Sequence, residues 1–370
     1  MNMKRLTFSN RYGHQLAAYI DMPVDGHPLA YAIFAHCFTC TKNLKAVANI
    51  NRALNRAGIA VLRFDFTGLG ESEGDFADTN FTTNVSDLMD AADFMAATYQ
   101  APEILIGHSL GGAAVLQAAA HIEPAKAVAV IGAPANADHV LNHISDAYDT
   151  IKASGQAKVQ LAGRPFQIKK QFIDDLESHK MADVIHGLRR ALMILHSPID
   201  QTVGIENAAA IFKAAKHPKS FISLDQSDHL LSRSADSEYA GTIIAAWARK
   251  YIGALMDLKT QSATSDKQVI VRTARSGYAT DIVAGGHSLT ADEPVAVGGT
   301  NLGPSPYDFL VAGLGACTSI TLRMYADRKG WPLEGIEVAL RHQKIHAENC
   351  RECEAKSGYL DEIKREIKLE

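Results

Sequence analysis

At 370 residues the chain exceeds the size at which one hydrophobic core usually stops growing, so two domains are expected. With 47% hydrophobic and 21% charged residues it has an ordinary globular composition, and a net charge of −4 without a basic cluster excludes an electrostatic footprint for nucleic acid. The opening MNMKRLTFSN lacks the apolar core of a signal peptide, and apolar runs such as residues 125–133 are too short to cross a bilayer; the expectation is a cytoplasmic protein with no membrane partner.

In chain order, LTF and LAAYI (6–8 and 16–20) predict an antiparallel pair turning at Tyr12 and Gly13. YAIFAH (31–36), IAVLRFDF (59–66), EILIG (103–107), AVAVIG (127–132), ALMILHS (191–197) and SFISLD (220–225) are short apolar runs ending in polar or glycine-rich turns. They predict buried parallel strands. Amphipathic stretches of helical length, such as 84–99 and 110–121, lie between them. The alternation predicts an α/β fold, a mostly parallel sheet flanked by helices with right-handed crossovers.

The interval 134–190 breaks this rhythm, and VQLAGRPFQIKKQF within it predicts a hairpin turning at 163–165. It is either a small cap over the site or an irregular crossover. LKTQSATSDK (258–267) has linker chemistry. The expected division is therefore 1–255 for the first domain, 256–267 for a linker and 268–370 for a second domain. The latter opens with strand-like QVIVRTA, turns at Gly285–Gly286 and Gly298–Gly299, forms an apolar helix over 307–328 and returns as strand-like GIEVALRHQK.

Gly107-His108-Ser109-Leu110-Gly111 fits G-x-S-x-G directly after an apolar strand and before an alanine-rich helix. A serine on so sharp a turn needs small neighbours, and the turn lifts its hydroxyl clear of the sheet. Ser109 is the expected nucleophile. A hydroxyl needs a base, and the base an orienting acid. Asp200, in HSPIDQTV beyond one strand, and His229, in QSDHLL beyond the next, supply them at the carboxyl edge where ligands collect. Asp228 adjoins His229, but neighbouring side chains seldom face each other, so Asp200 is preferred. His36, His108 and His196 also lie near strand ends and are read as structural. The oxyanion donors are expected at the backbone of Leu110 and of the loop after the first central strand, Phe38 first and Cys37 second.

FAHCFTCTKN, FDFTGLGESEG, IGHSLGG, HSPIDQTV and SDHLL together resemble successive signatures of the α/β-hydrolase family, over residues 1–252. The resemblance implies acylation of Ser109 by a small-molecule ester or amide and hydrolysis by a water activated by His229. Cys37 departs from the glycine common after that first histidine, which bears on substrate range. A serine nucleophile sets the chain apart from the dehalogenase and epoxide-hydrolase branches, which use aspartate.

Five cysteines, an odd number without a secretion signal, argue against a disulfide framework. Cys37 and Cys40 are accordingly read as reduced loop thiols. The alternative is a redox-gated bridge that reshapes the oxyanion loop. Two ligands are too few for zinc.

GGTNLGPSPYDFLVAGLGACTSITLRMYADRKGWPLEGIEVALRHQK is similar to the first half of the osmotically inducible protein C (OsmC) family. That family includes thiol peroxidases acting on organic hydroperoxides, and the resemblance puts Cys317 at the peroxidatic position. Such a thiol needs nearby positive charge, for which Arg272 and Arg275 are candidates; otherwise a cysteine in an apolar helix is inert core. Two departures weigh against peroxidase activity. The family's resolving cysteine lies on a second central helix, and the sequence reaches IKREIKLE without one. Tyr307 stands where peroxidase branches carry glutamate. Cys350 or Cys353 could resolve the peroxidatic thiol, could join His342 and His346 in a metal site, or are loop thiols. No metal and no cofactor is the expectation. Family members are intertwined dimers, which implies a homodimer through 268–370; a truncated domain is the alternative. The functional expectation is a serine carboxylesterase for small to medium acyl esters. The alternatives are a thiol-dependent hydroperoxide reductase, or a second domain serving only dimerisation.

Overall fold

The computed structural model describes residues 2–161, 163–253, 269–273, 277–346 and 359–370. The chain divides into two units, Met1–Gln268 and Val269–Glu370. The expected linker, 256–267, lies outside the described residues.

The first unit opens with β1 (Asn2–Ser9) and β2 (Gln15–Met22), paired antiparallel from Asn2 opposite Met22 to Ser9 opposite Gln15. Then β3 (Ala30–Ala35), α1 (Lys45–Arg56), β4 (Ile59–Phe64), α2 (Phe81–Thr98), β5 (Ile104–His108), α3 (Leu110–Ala118) and β6 (Ala127–Ile131) alternate strand with helix where the apolar runs predict. The insertion holds a 3₁₀ stretch (Ala137–Ile144), α4 (Ser145–Ser154), β7 (Gln156–Leu161), β8 (Arg164–Lys169), α5 (Lys170–Ser178) and α6 (Met181–His186). β7 and β8 form the expected hairpin, Leu161 opposite Arg164 at its turn. Finally come β9 (Ala191–His196), α7 (Glu206–Ala214), β10 (Lys219–Ser223) and α8 (Ser234–Ala248).

Eight strands make one sheet in the order β1-β2-β4-β3-β5-β6-β9-β10. The two pairs involving β2 are antiparallel and the rest parallel. Every residue of β3, β4, β5, β6 and β9 is buried, as it must be with helices on both faces. On one face α2 and α3 pack Phe81, Leu88 and Leu116 into a core that continues into the insertion through Phe172 and Ile173. On the other, Val47, Ile50 and Leu54 of α1 meet Ala240 and Ile244 of α8.

The second unit begins with an antiparallel meander of β11 (Val269–Thr273), β12 (Thr280–Ala284) and β13 (His287–Ala291), turning at Gly285 and Gly286. Helix α9 (Pro306–Lys329) follows, started by a reciprocal Ser305–Asp308 capping box and stopped by Gly330 at φ 65°. β14 (Ile336–His346) and β15 (Tyr359–Leu369) pair antiparallel, so the IKREIKLE end of the sequence is a strand. α9 is long and apolar enough to cross a membrane by length and composition, a test that core helices of soluble proteins also pass. Its charges sit towards its two ends, so it passes that test without being one uninterrupted apolar run.

Beneath the loop that follows β3 lies a buried ionic cluster. Lys42, fully buried, donates Nζ–H to Asp65 Oδ2 at 2.5 Å and to Glu71 Oε2 at 2.7 Å. Asp65 also accepts the backbone N–H groups of Lys42 (2.7 Å) and Glu71 (3.0 Å), and Arg63 donates to the Lys42 carbonyl while binding Asp21 at 2.8 Å. The cluster fixes the base of the β3 loop to the end of β4. Removing one partner of such a pair strands a charge, so Lys42→Met is expected to cost roughly 3–5 kcal/mol of stability, read as a lowered urea midpoint. A midpoint within error of the unsubstituted protein would show that the cluster does not hold the loop.

Candidate active site

Ser109 sits between β5 and α3 at φ 56°, ψ −127°, a left-handed position that a serine enters only when its surroundings force it. Its N–H is tied to the Ile131 carbonyl of the neighbouring strand (2.9 Å), and its carbonyl accepts Gly112 N–H (2.8 Å). The flanking glycines are required by contact distance. A Cβ on Gly107 would stand 2.3 Å from the Gly111 carbonyl oxygen, and one on Gly111 would stand 2.4 Å from the His36 carbonyl oxygen.

From the ends of β9 and β10, two loops bring Asp200 and His229 to the same edge. His229 Nδ1–H donates to Asp200 Oδ2 at 2.7 Å, and Ser109 Oγ–H faces His229 Nε2 at 3.0 Å. The other carboxylate oxygen of Asp200 accepts the N–H groups of Thr202 (2.8 Å) and Val203 (3.0 Å). Burial pushes the Asp200 carboxyl up, but the bonds from His229 and the two backbone groups outweigh it and hold the group below the ordinary carboxylate range. Asp228 turns away to cap Ser232 N–H at 2.9 Å. Gly132, at the end of β6, escaped the sequence reading: a Cβ there would lie 3.4 Å from both Asp200 Oδ2 and His229 Nδ1. The glycine ending AVAVIG was its signal.

The loop after β3 corrects one expectation. Cys37 and Cys40 are bridged by a disulfide, not reduced thiols. Counting cysteines addresses a framework spanning the fold; it says nothing of two sulfurs brought together by one tight turn. That turn is closed by Cys40 N–H on the Cys37 carbonyl (3.0 Å), with Thr39 at φ 61°. Phe38, inside the turn, stacks on Phe172 of the insertion at 5.6 Å between centroids. Leu110 is the first residue of α3, so its N–H has no partner within the helix. Beside both residues lies a narrow apolar cleft lined by Phe38, Phe66, Leu69, Phe76, Asn84 and Leu110.

The insertion is tied to the site loops by polar bonds as well as by packing. Arg164 of the hairpin donates to the Thr39 carbonyl, and His139 Nε2–H donates to the Thr202 carbonyl at 3.0 Å. Asn207 Oδ1 takes Ala135 N–H at 3.0 Å, and Asp175 takes both N–H and hydroxyl of Thr82.

The sequence profile described as serine aminopeptidase, S33, matches residues 40–270. The chain belongs to this family of α/β-hydrolases. The esterase domain of a Rhodothermus marinus protein is 52% identical, covering 68% of this chain and 100% of that one, with a TM-score of 0.57. Mouse palmitoyl-protein thioesterase ABHD10, mitochondrial, is 27% identical over 205 residues, 52% of this chain and 66% of that protein; for its rat counterpart the share is 54%. The chain thus spans between about half and two thirds of these curated relatives. Est1E from Butyrivibrio proteoclasticus, solved with ferulic acid, shares the fold at 20% identity with a TM-score of 0.55. The profile of OsmC-like proteins matches residues 299–369, so this hydrolase carries an OsmC-like domain in its second unit.

In that domain Cys317 is exposed on α9, not core. Tyr307 stacks on His342 at 4.0 Å, and His342 Nε2 bonds Asp361 at 2.8 Å. Arg272 lies on β11; Arg275, Cys350 and Cys353 fall outside the described residues. No group of three or more metal-ligating side chains occurs among the described residues.

The hydrolase keeps two histidines beside Ser109 neutral. Burial lowers His36, whose Nδ1–H binds the Cys37 carbonyl (2.9 Å) and whose Nε2 accepts Phe66 N–H (3.4 Å). Burial, with the neighbouring His229, lowers His108 to about 3. A folded pKa depressed below the free value of about 6.5 means that the unfolded chain binds more protons in between. Stability is thus fully present above about pH 6.5 and drains away as pH falls toward 3. The slope of unfolding free energy against pH between 5 and 6.5 should therefore be positive, and shallower by up to one proton in His108→Gln. Equal slopes in the two proteins would refute the assignment.

Proposed function

We propose that the first unit is a serine carboxylesterase acting on small to medium acyl esters through an acyl-enzyme. The carrying observation is the continuous line from Ser109 Oγ through His229 to Asp200, at 3.0 and 2.7 Å. In this reading Ser109 Oγ attacks the acyl carbonyl while His229 Nε2 takes its proton. The bond to the leaving group breaks, and that proton departs with the alcohol. Water then gives a proton to Nε2 and its oxygen to the acyl carbon, and the acid leaves as Ser109 recovers its hydrogen. Asp200 holds the imidazole tautomer and stabilises the cation formed. The N–H groups of Leu110 and Phe38 receive the oxyanion, with Cys37 as the alternative to Phe38; each is worth on the order of 100- to 1000-fold in turnover. The apolar cleft beside those donors supports an acyl group as the recognised part. The Rhodothermus esterase domain supports an oxygen ester, and the ABHD10 name extends the reading to thioesters.

A second activity is favoured by the exposure of Cys317 and by Arg365, whose guanidinium binds the hydroxyl of adjacent Thr318 at 3.1 Å. There the Cys317 thiolate takes the terminal oxygen of an organic hydroperoxide, releasing the alcohol, and a dithiol reduces the sulfenic acid. Along α9, Leu310, Ile320 and Met324 are exposed, which supports self-association of the second unit as a homodimer.

Turnover of p-nitrophenyl butyrate should vanish in Ser109→Ala and fall on the order of ten thousand-fold in Asp200→Asn; a Ser109→Ala protein retaining turnover ends the esterase reading. Dithiol-dependent loss of cumene hydroperoxide should disappear in Cys317→Ser, and light scattering should give twice the chain mass. Turnover insensitive to Cys317→Ser, or a monomer in solution, removes the corresponding claim.

A further inference from the structure

Three histidines outside the Ser109–His229–Asp200 line make the same kind of bond. His108, the last residue of β5, donates Nε2–H to the carbonyl of His229 at 2.7 Å. His196, the last residue of β9, donates Nε2–H to the carbonyl of Val203 at 2.7 Å. His139, from the insertion, donates Nε2–H to the carbonyl of Thr202 at 3.0 Å. The acceptors are not scattered. One belongs to the base itself, and the other two belong to the residues whose N–H groups grip Asp200 Oδ1.

At position 196 a histidine is a poor choice for packing alone. The ring is fully buried, and its Nδ1 meets no hydrogen-bond partner among the described residues. A buried acceptor left unmet destabilises the fold, which an apolar ring of similar size would avoid. What the imidazole offers in return is the Nε2–H, delivered to the loop that carries the acid, with Asp200 Oδ2 itself 3.8 Å away. His108 is buried as well, and it makes the same kind of donation to the loop that carries the base.

We infer that His108 and His196, aided by His139 from the insertion, are positioning residues that set the separation and angle of His229 and Asp200 by tethering the peptide carbonyls at 229, 203 and 202. The inference rests on the serine-esterase reading. The tethers come from strand ends and from the insertion, so the acid–base pair is indexed to the sheet instead of riding on two independent loops. A general base must hold its hydrogen bonds within narrow limits to act, and small misplacements far from the chemistry are expensive in turnover.

Glutamine places an N–H near the position of Nε2, and methionine matches its length without one, so the two substitutions differ mainly in the donor. For both His108 and His196, the Met variant is expected to lose at least tenfold in kcat on p-nitrophenyl butyrate with KM within about threefold, and the Gln variant to recover most of it. The acid limb of the kcat/KM profile should move to lower pH in the Met variants, because a looser Asp200 stabilises the protonated base less. Labelling of Ser109 by a fluorophosphonate should slow in parallel. Equal kcat in Gln and Met variants, or an unmoved acid limb in both, overturns the inference. If a Met variant is recovered unfolded, the Gln variant decides alone: near-normal kcat with an unmoved limb supports the tether, and a tenfold loss in a folded Gln protein overturns it. Unsubstituted protein that neither hydrolyses the ester nor takes the label would instead bring down the esterase reading, and this inference with it.

Discussion

The close approach of α3 to β5 at Gly107, and to the end of β3 at Gly111, is the constraint from which the rest of the site follows. With backbone oxygens where side chains would otherwise begin, the chain can turn from β5 into α3 within one residue, and Ser109 occupies that residue at positive φ. The same approach puts the start of α3 against the end of β3, so Leu110 and the β3 loop border one cleft. A serine on a relaxed turn would not stand clear of the sheet, and its neighbours would not converge on the space above it. Local strain at one position thus organises groups contributed by four strands.

Much of this was legible in the sequence because the relevant signals are local. Apolar runs followed by glycine or polar turns mark six strands of the sheet, and Ser109, Asp200 and His229, which meet in the structure, lie just past three of those runs. The hairpin in the insertion was legible from Gly163 and Pro165. Strand ends were less so, since ladder hydrogen bonds run on past the last apolar side chain, as in β1 and β2.

What escaped was set by tertiary proximity. The Cys37–Cys40 bridge depends on a turn conformation that residue counting does not see. Gly132 matters only because its strand lies between those that precede Ser109 and Asp200. His108 and His196 read as structural from sequence; their acceptors, 121 and 7 residues away, give that word a definite content. The exposure of Cys317 likewise could not be read from an apolar helix.

The insertion between β6 and β9 has one more consequence. Arg164 reaches the loop bearing Phe38, and His139 reaches the loop bearing Asp200, while Phe172 lies flat against Phe38. The segment is thereby anchored to loops on both sides of Ser109 and buttresses them. A roomier segment in its place would therefore have to supply new supports for both loops.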